Sequence, residues 1–360
     1  MKQEHIHKRI FGLDVLRAMA IVLVVAIHGR YMVADTVWYE FPYFNYIDGV
    51  DLFFVLSGFL IGTILLKESS TAQRFDSAQL LHFWKRRWFR TLPNYYLIIF
   101  LNVLILLLGL TGASVNVFEW KYLFFLQNFT SAIGNFFPES WSLSVEEWFY
   151  IVSPIVFMLL LKKLNTKVSF IVTVCVLLLF GLIVRYYQAN YTELDGFELY
   201  ENTKKVVITR IDAIGYGLLA AWLAFYFQSY WFKTRYYTFV IGVFFLCIIS
   251  NYDFGGSDLY GKNLIYACSP LALMLFLPLA HSIKTAPSII LKPITFLSEV
   301  SYSLYLINLM VAVIIAHNFP IQNTTDGTIK YIVYWIVVIV LAWILHKFYE
   351  KPMTNLRDRK

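Results

Sequence analysis

Charge is scarce in this chain: 15% of its 360 residues are Asp, Glu, Lys or Arg, against 59% hydrophobic. Soluble domains carry about 25% charged residues, and so apolar a chain has no means of covering itself with a water-facing surface, which excludes a soluble globular enzyme. Cysteine is rarer still. Cys175, Cys247 and Cys268 are odd in number, sit inside apolar runs and keep no metal-ligand spacing, so a disulfide scaffold and a thiolate metal centre are both excluded. Also absent are Gly/Ser-rich or Pro-rich linkers, internal repeats and low-complexity tails. Nothing marks a second soluble domain, and residues 1–360 read as one membrane domain.

What the chain has in abundance is apolar stretches of membrane-spanning length. A spanning helix needs roughly 20 predominantly apolar residues, and about ten windows meet that requirement. They lie near Phe11–Val33, Val50–Leu66, Pro93–Leu110, Val145–Leu161, Val168–Val184, Ile211–Phe227, Tyr236–Ser250, Asn263–Ala280, Phe296–Ala316 and Tyr331–Leu345. The patch Tyr122–Leu126 is too short to cross and reads as interfacial or re-entrant. The expected fold is therefore an all-α integral membrane protein of about ten transmembrane helices. Most of the 30 Lys and Arg fall on the N-terminus, the even-numbered loops and the C-terminus, which predicts both termini in the cytoplasm. The outer loops collect acids instead: Asp35, Glu40 and Asp48 before the second span, and Glu193, Asp195, Glu198 and Glu201 in the longest outer loop. Positive-inside placement accounts for the net charge of +7 without a nucleic-acid partner. The basic start followed by a span without a small-residue cleavage site predicts no removable signal peptide. The site of action is expected to be a cell membrane, crossed many times.

Ionisable side chains inside hydrocarbon are costly and mark candidate sites. The first span carries Asp14, Arg17 and His28. Asp14 and Arg17 are one turn apart and can pair. His28 is eleven residues beyond Arg17, about 20° off the same face and about 16 Å further along the axis. Arg17 thus belongs to the cytoplasmic half of a polar groove and His28 to the outer half. In the second span Asp51, Ser57, Gly58 and Gly62 give a small, polar face, with Asp51 expected at the depth of His28. Glycines there also permit close helix packing. Before the third span, His82-Phe-Trp-Lys-Arg-Arg-Trp-Phe-Arg90 interleaves cations with aromatics, as an interfacial anchor does. Arg87 and Arg90 share one helical side and form a fork suited to phosphates. Ser140-Trp-Ser-Leu-Ser-Val-Glu-Glu-Trp-Phe-Tyr150 sets Glu146 and Tyr150 one turn apart, while Glu146 and Glu147 diverge by about 100°, so at most one faces a given pocket. Arg210 and Asp212 read as a further charge pair at the outer end of their span.

Leu13-Asp-Val-Leu-Arg-Ala-Met-Ala followed by His28, and Gly49-Val-Asp-Leu-Phe-Phe-Val-Leu-Ser-Gly58, resemble the motifs of the acyltransferase type 3 family of membrane proteins, which O-acylate cell-surface glycans and related molecules. Arg87-Trp-Phe-Arg90, Trp141-Ser-Leu-Ser-Val-Glu-Glu-Trp-Phe-Tyr150, Arg210-Ile-Asp-Ala213 and Val300-Ser-Tyr-Ser-Leu-Tyr-Leu306 extend the resemblance from Leu13 to about Pro352. Many relatives follow the last motif with an aromatic residue and a histidine, where this chain has Ile307 and Asn308; His28 is left as the imidazole of interest. Some relatives also carry a C-terminal extracytoplasmic esterase-like domain, which these 360 residues do not contain, so transfer is expected to finish on the membrane domain or on a separate partner.

The resemblance implies a membrane O-acyltransferase, with no bound cofactor or metal, that takes an acyl group, most simply acetyl, from cytoplasmic acetyl-CoA or another acyl-CoA. The acceptor is a hydroxyl on an extracytoplasmic molecule such as a surface polysaccharide, and the setting is the bacterial cytoplasmic membrane. On this reading the catalytic residues are His28 as general base, Glu146 or Asp51 to fix its tautomer, and Arg17. Asp14, Arg87, Arg90, Ser57, Gly58, Tyr150 and Arg210 line the substrate path. A relay in which His28 or Ser57 briefly carries the acyl group is equally open. The rival class is a transporter or flippase of a glycan or acylated intermediate without covalent chemistry. No inverted repeat or helix broken at midspan supports it. Oligomeric state is open.

Overall fold

The computed structural model describes residues 9–39, 47–72, 75–112, 117–192, 194, 196–251 and 259–357. Glu40, Glu193 and Asp195, and the first eight residues of the basic N-terminal segment, lie outside the described residues. The described chain is helical and contains no strand: α1 Phe11–Gly29, α2 Gly49–Ala72, α3 Ser77–Leu107, α4 Ser140–Leu161, α5 Thr166–Tyr191, α6 Gly196–Lys204, α7 Val207–Tyr226, α8 Gln228–Lys233, α9 Arg235–Asn251, α10 Leu259–Met274, α11 Leu277–Ser282, α12 Ser288–Asn318, α13 Thr324–Leu345 and α14 Lys351–Leu356. Nine helical segments among the described residues are long and apolar enough to cross a membrane. The expected tenth is α9, whose apolar part Arg235–Ile249 is shorter. At a 1.5 Å rise its 17 residues reach about 25 Å, just under the hydrocarbon thickness. The protein is an all-α, multi-pass membrane protein.

Local sequence sets several helix ends. Asp76 caps α3 in a capping box: its carboxylate accepts from the Ala78 and Gln79 amides while the Gln79 side chain accepts from the Asp76 amide. The third span was expected to begin at Pro93. Instead α3 starts at Ser77 and runs through Pro93 as one 31-residue helix. Its length of about 46 Å exceeds the hydrocarbon thickness, so the basic turns carrying Arg87 and Arg90 are the continuation of a spanning helix. The short Tyr122–Leu126 patch forms a 3-10 turn, Trp120–Phe124, closed by Phe125 in the left-handed region.

Helix α7 packs along α2 and α5, and α1 packs along α12. The α2–α7 approach is set by Gly58 and Gly217. A Cβ on Gly58 would lie 2.0 Å from the Ile214 carbonyl oxygen, and one on Gly217 2.2 Å from that of Val55. Backbone meets backbone there, as small residues allow in membrane bundles. Large apolar side chains that face outward, such as Leu179, Val240, Phe244 and Ile332, are the surface offered to lipid. Cys175 and Cys247 are exposed on such faces.

Candidate active site

Three cavities follow one another through the bundle, linked by shared lining residues. The basal cavity, at the N-terminal end of α1, is about 770 Å³ and strongly cationic: Arg9, Arg17, Lys67, Arg86, Arg87, Arg90 and Arg357 line it, with Asp14, Glu68 and His281. It meets a narrow middle cavity of about 90 Å³ through Arg17, Leu60, Arg87 and Arg90. The middle cavity meets an apical cavity of about 410 Å³ through Val50 and Tyr305.

At the basal end, Asp14 is the hub. Arg9 donates to it at 2.5 Å, Ser298 at 2.7 Å and Arg17 at 3.5 Å, and Arg17 also donates to the Ser298 hydroxyl at 3.1 Å. The Asp14–Arg17 pair read from sequence is therefore present, joined by Arg9 and by Ser298 of α12. Arg87 and Arg90 face the same two cavities, as their spacing implied.

The middle cavity holds a closed triangle of hydrogen bonds. Ser57 donates to Glu146 Oε1 at 2.9 Å, while Tyr150 donates to Glu146 Oε2 at 2.9 Å and to the Ser57 hydroxyl at 3.3 Å. The Arg87 guanidinium stands 5.9 Å from the Tyr150 ring centre. Glu147 turns away to accept from Thr91 at 2.7 Å, so of the adjacent pair Glu146 alone lines the cavity.

His28 lines the apical cavity, half-buried on the last turn of α1. Its Nδ1 is hydrogen-bonded to Asn308 Oδ1. Asn308 is fully buried, and its amide nitrogen donates to the carbonyls of Leu304 at 2.9 Å and Tyr305 at 2.8 Å. Turning that amide over would set its oxygen against two carbonyl oxygens, so Oδ1 must face His28. The imidazole accordingly carries its proton on Nδ1, and Nε2 is left as the acceptor. The expectation that Glu146 or Asp51 fixes this tautomer is corrected. Glu146 belongs to the Ser57 triangle, and Ser57 lies eight residues, about 12 Å, deeper along α2 than Gly49, which lines the apical cavity.

Asp51 is corrected in a second respect: it lines none of these cavities and is buried in an ion pair with Arg210, with Ser269 donating to it at 3.0 Å. Arg210 likewise leaves the substrate path, its other hydrogen bond going to the Tyr266 carbonyl at 3.0 Å. The pairing of Arg210 with Asp212 is replaced by Arg185, which sequence reading missed, gripping Asp212 through two nitrogens at 2.8 and 2.6 Å. Gly58 is a packing residue, sealed against α7. For Asp51 and Asp212 the physical reason is shared: a buried carboxylate is stabilised by a cation, and each finds one on a neighbouring helix.

Much of the rest of the apical wall comes from residues outside the recognised motifs. Lys204 of α6 pairs with Asp48 at 3.1 Å and Lys205 with Glu201 at 2.6 Å. The Asp48 carboxylate raises the Lys204 ammonium above its ordinary pKa. Burial works against ionised Asp48, but Lys204, the Val50 amide and Arg210 together outweigh it and hold the carboxyl below its ordinary value. Glu139, the residue just before the Ser140–Tyr150 motif, is 5% exposed and lines the cavity. Its backbone carbonyl accepts from the Tyr305 hydroxyl at 2.8 Å, and Ser142 and Tyr305 share a 2.6 Å contact. Among the described residues no group of His, Cys, Asp and Glu could hold a metal ion.

A polar cavity lined by a half-buried imidazole is thus joined through a constriction to an arginine-lined cavity inside one membrane bundle. A family model described as an acyltransferase domain matches residues 10–347, and the chain belongs to that family. Its relatives include the Bacillus subtilis (strain 168) protein YrhL, whose name assigns it provisionally to peptidoglycan O-acetylation, 26% identical over 376 residues covering 98% of this chain and 56% of YrhL. They also include the O-acetyltransferase OatA of Staphylococcus aureus (strain NCTC 8325 / PS 47), 26% identical over 389 residues covering 95% of this chain and 57% of OatA. The chain spans about half the length of these curated relatives. No solved structure matches it.

Proposed function

We propose that this chain transfers an acetyl group from acetyl-coenzyme A on the cytoplasmic side to a glycan hydroxyl outside, in a bacterial cytoplasmic membrane, with His28 Nε2 as the general base. The observation that carries the reading is the His28–Asn308 contact, which among the described residues leaves Nε2 without a hydrogen-bond partner on a ring that lines the apical cavity. The names of the relatives favour acetyl as the group and a peptidoglycan sugar as the acceptor. The basal cavity, with Arg87 and Arg90 on its path inward, suits the phosphates of the donor. From there the pantetheine arm threads the middle cavity and brings the thioester to the level of His28, about 16 Å along α1 from Arg17.

The acceptor oxygen attacks the thioester carbonyl carbon as His28 Nε2 takes its proton. The tetrahedral intermediate collapses, the carbon–sulfur bond breaks, and the imidazolium returns the proton to the leaving thiolate. Direct transfer is favoured over a relay on Ser57, because Ser57 lines the middle cavity with Arg17 and Glu146, about 12 Å along α2 from Gly49 on the apical cavity. The test is His28→Ala in proteoliposomes supplied with acetyl-coenzyme A and a peptidoglycan disaccharide. Acetylated sugar, read by mass spectrometry, is expected to vanish while the protein still inserts, and a near wild-type rate overturns the role.

A further inference from the structure

The reaction just described develops negative charge on the thioester carbonyl oxygen, and His28 cannot both serve as base and stabilise that charge. A donor is needed on the other side of the reacting carbon. Most of the arginines on the path, the obvious candidates, stand at the basal end. The cations of the apical cavity are engaged, Lys204 with Asp48, Lys205 with Glu201, and Arg30 over the Tyr39 ring at 5.1 Å.

Glu139 is the buried polar group on the apical wall that the mechanism has not used. Its carboxyl meets its own backbone amide, and among the described residues no cation or side-chain donor reaches it. It shares the apical cavity with the His28 imidazole of α1, the Asp48–Lys204 and Lys205–Glu201 pairs, Arg30 and Tyr200; the Tyr305 hydroxyl of α12 meets its backbone carbonyl, and its carboxyl acts on Tyr122 and Tyr334. Its placement relative to His28 is rigid. Tyr305 donates to the Glu139 carbonyl, the Tyr305 carbonyl accepts from Asn308, and Asn308 holds His28.

We propose that Glu139 is a catalytic residue in its neutral acid form, donating its O–H to the thioester carbonyl oxygen as the acceptor hydroxyl adds and His28 removes the hydroxyl proton. The carbonyl electron pair moves onto oxygen against this donor and returns as the carbon–sulfur bond breaks, and Glu139 keeps its proton throughout. Burial without a nearby cation pushes the Glu139 carboxyl up to about 8, so the acid form prevails at neutral pH. The inference rests on the function proposed above.

Glutamine keeps the shape and a neutral N–H donor, and alanine keeps neither, so the two substitutions separate the roles. With acetyl-coenzyme A and a peptidoglycan disaccharide, Glu139→Gln is expected to keep kcat within about tenfold of wild type, whereas Glu139→Ala loses roughly 10²- to 10³-fold in kcat with KM for the donor little changed. Wild-type kcat should fall as pH rises through about 8, and that alkaline limb should be missing from Glu139→Gln. Should Glu139→Ala not insert, the Glu139→Gln pH profile decides alone. Gln as inactive as Ala, both variants near wild type, or an alkaline limb unchanged in Glu139→Gln each overturns the inference. A wild-type protein that makes no acetylated product overturns the proposed function, and this inference with it.

Discussion

Replacing Asn308 by alanine removes the acceptor of the His28 Nδ1 proton without substituting the imidazole itself, which makes it the sharpest probe of how the imidazole is prepared. Two losses follow. If the tautomers become equal in energy, the reactive form falls by about a factor of two, a small effect. The larger loss is orientation: an unpaired N–H at a half-buried ring costs about 1–3 kcal/mol, and the ring turns to recover a partner, moving Nε2 away from the acceptor. At 1.36 kcal/mol per factor of ten, the expected fall in kcat is about 5- to 150-fold. KM for acetyl-coenzyme A should stay within a factor of about two, because Asn308 lies ten residues, about 15 Å, along α12 from Ser298 at the basal cavity. Asn308→Asp keeps an acceptor oxygen and should retain more activity than Asn308→Ala, despite losing the two bonds to Leu304 and Tyr305. Initial rates in proteoliposomes, normalised to inserted protein, measure both. An Asn308→Ala variant with wild-type kcat refutes the argument, as does one whose loss lies wholly in KM.

Arg87→Ala and Arg90→Ala are each expected to raise KM for acetyl-coenzyme A by roughly tenfold or more, given about 1.5–3 kcal/mol for a hydrogen bond to a charged group, and to lower kcat less; titrating donor at fixed acceptor checks this. Asp212→Asn leaves Arg185, 1% exposed, as a buried charge without its counterion, which should lower stability by about 3–5 kcal/mol in a detergent thermal melt. The pairing is wrong if that variant melts with wild type. Lys204→Met should cost about 1 kcal/mol at neutral pH, since the Asp48–Lys204 pair is about a quarter exposed on each side. The Asp48 carboxyl is lowered in the fold, so its stabilisation is present above its unfolded value of about 3.9 and is lost as pH falls through the folded one. Melts of wild type and Lys204→Met should therefore converge below about pH 4.

The chain's periodicity and charge placement made the spans legible, because the bilayer imposes a length and a hydropathy that each helix must satisfy by itself. The same one-dimensional reading put Arg17 and His28 at opposite ends of one groove, since both lie on a single helix whose rise is fixed. It failed wherever a partner had to be chosen between helices. Asp51, Glu146 and Arg210 all have the chemistry of a site, and sequence spacing says nothing about which cation on another helix stands opposite. In the fold Arg210 claims Asp51, Arg185 claims Asp212, and Glu146 is held by Ser57 and Tyr150. Asn308 stood out as a departure from the acyltransferase pattern, yet its consequence became visible only when α12 was set beside α1. Glu139 gave no signal at all, one residue ahead of a motif and on a segment too polar to count as a span. What distinguishes it is a physical contrast. Every other buried carboxylate named above has a cation or a hydroxyl donor against it, whereas Glu139 lines the same cavity as the base and among the described residues has neither.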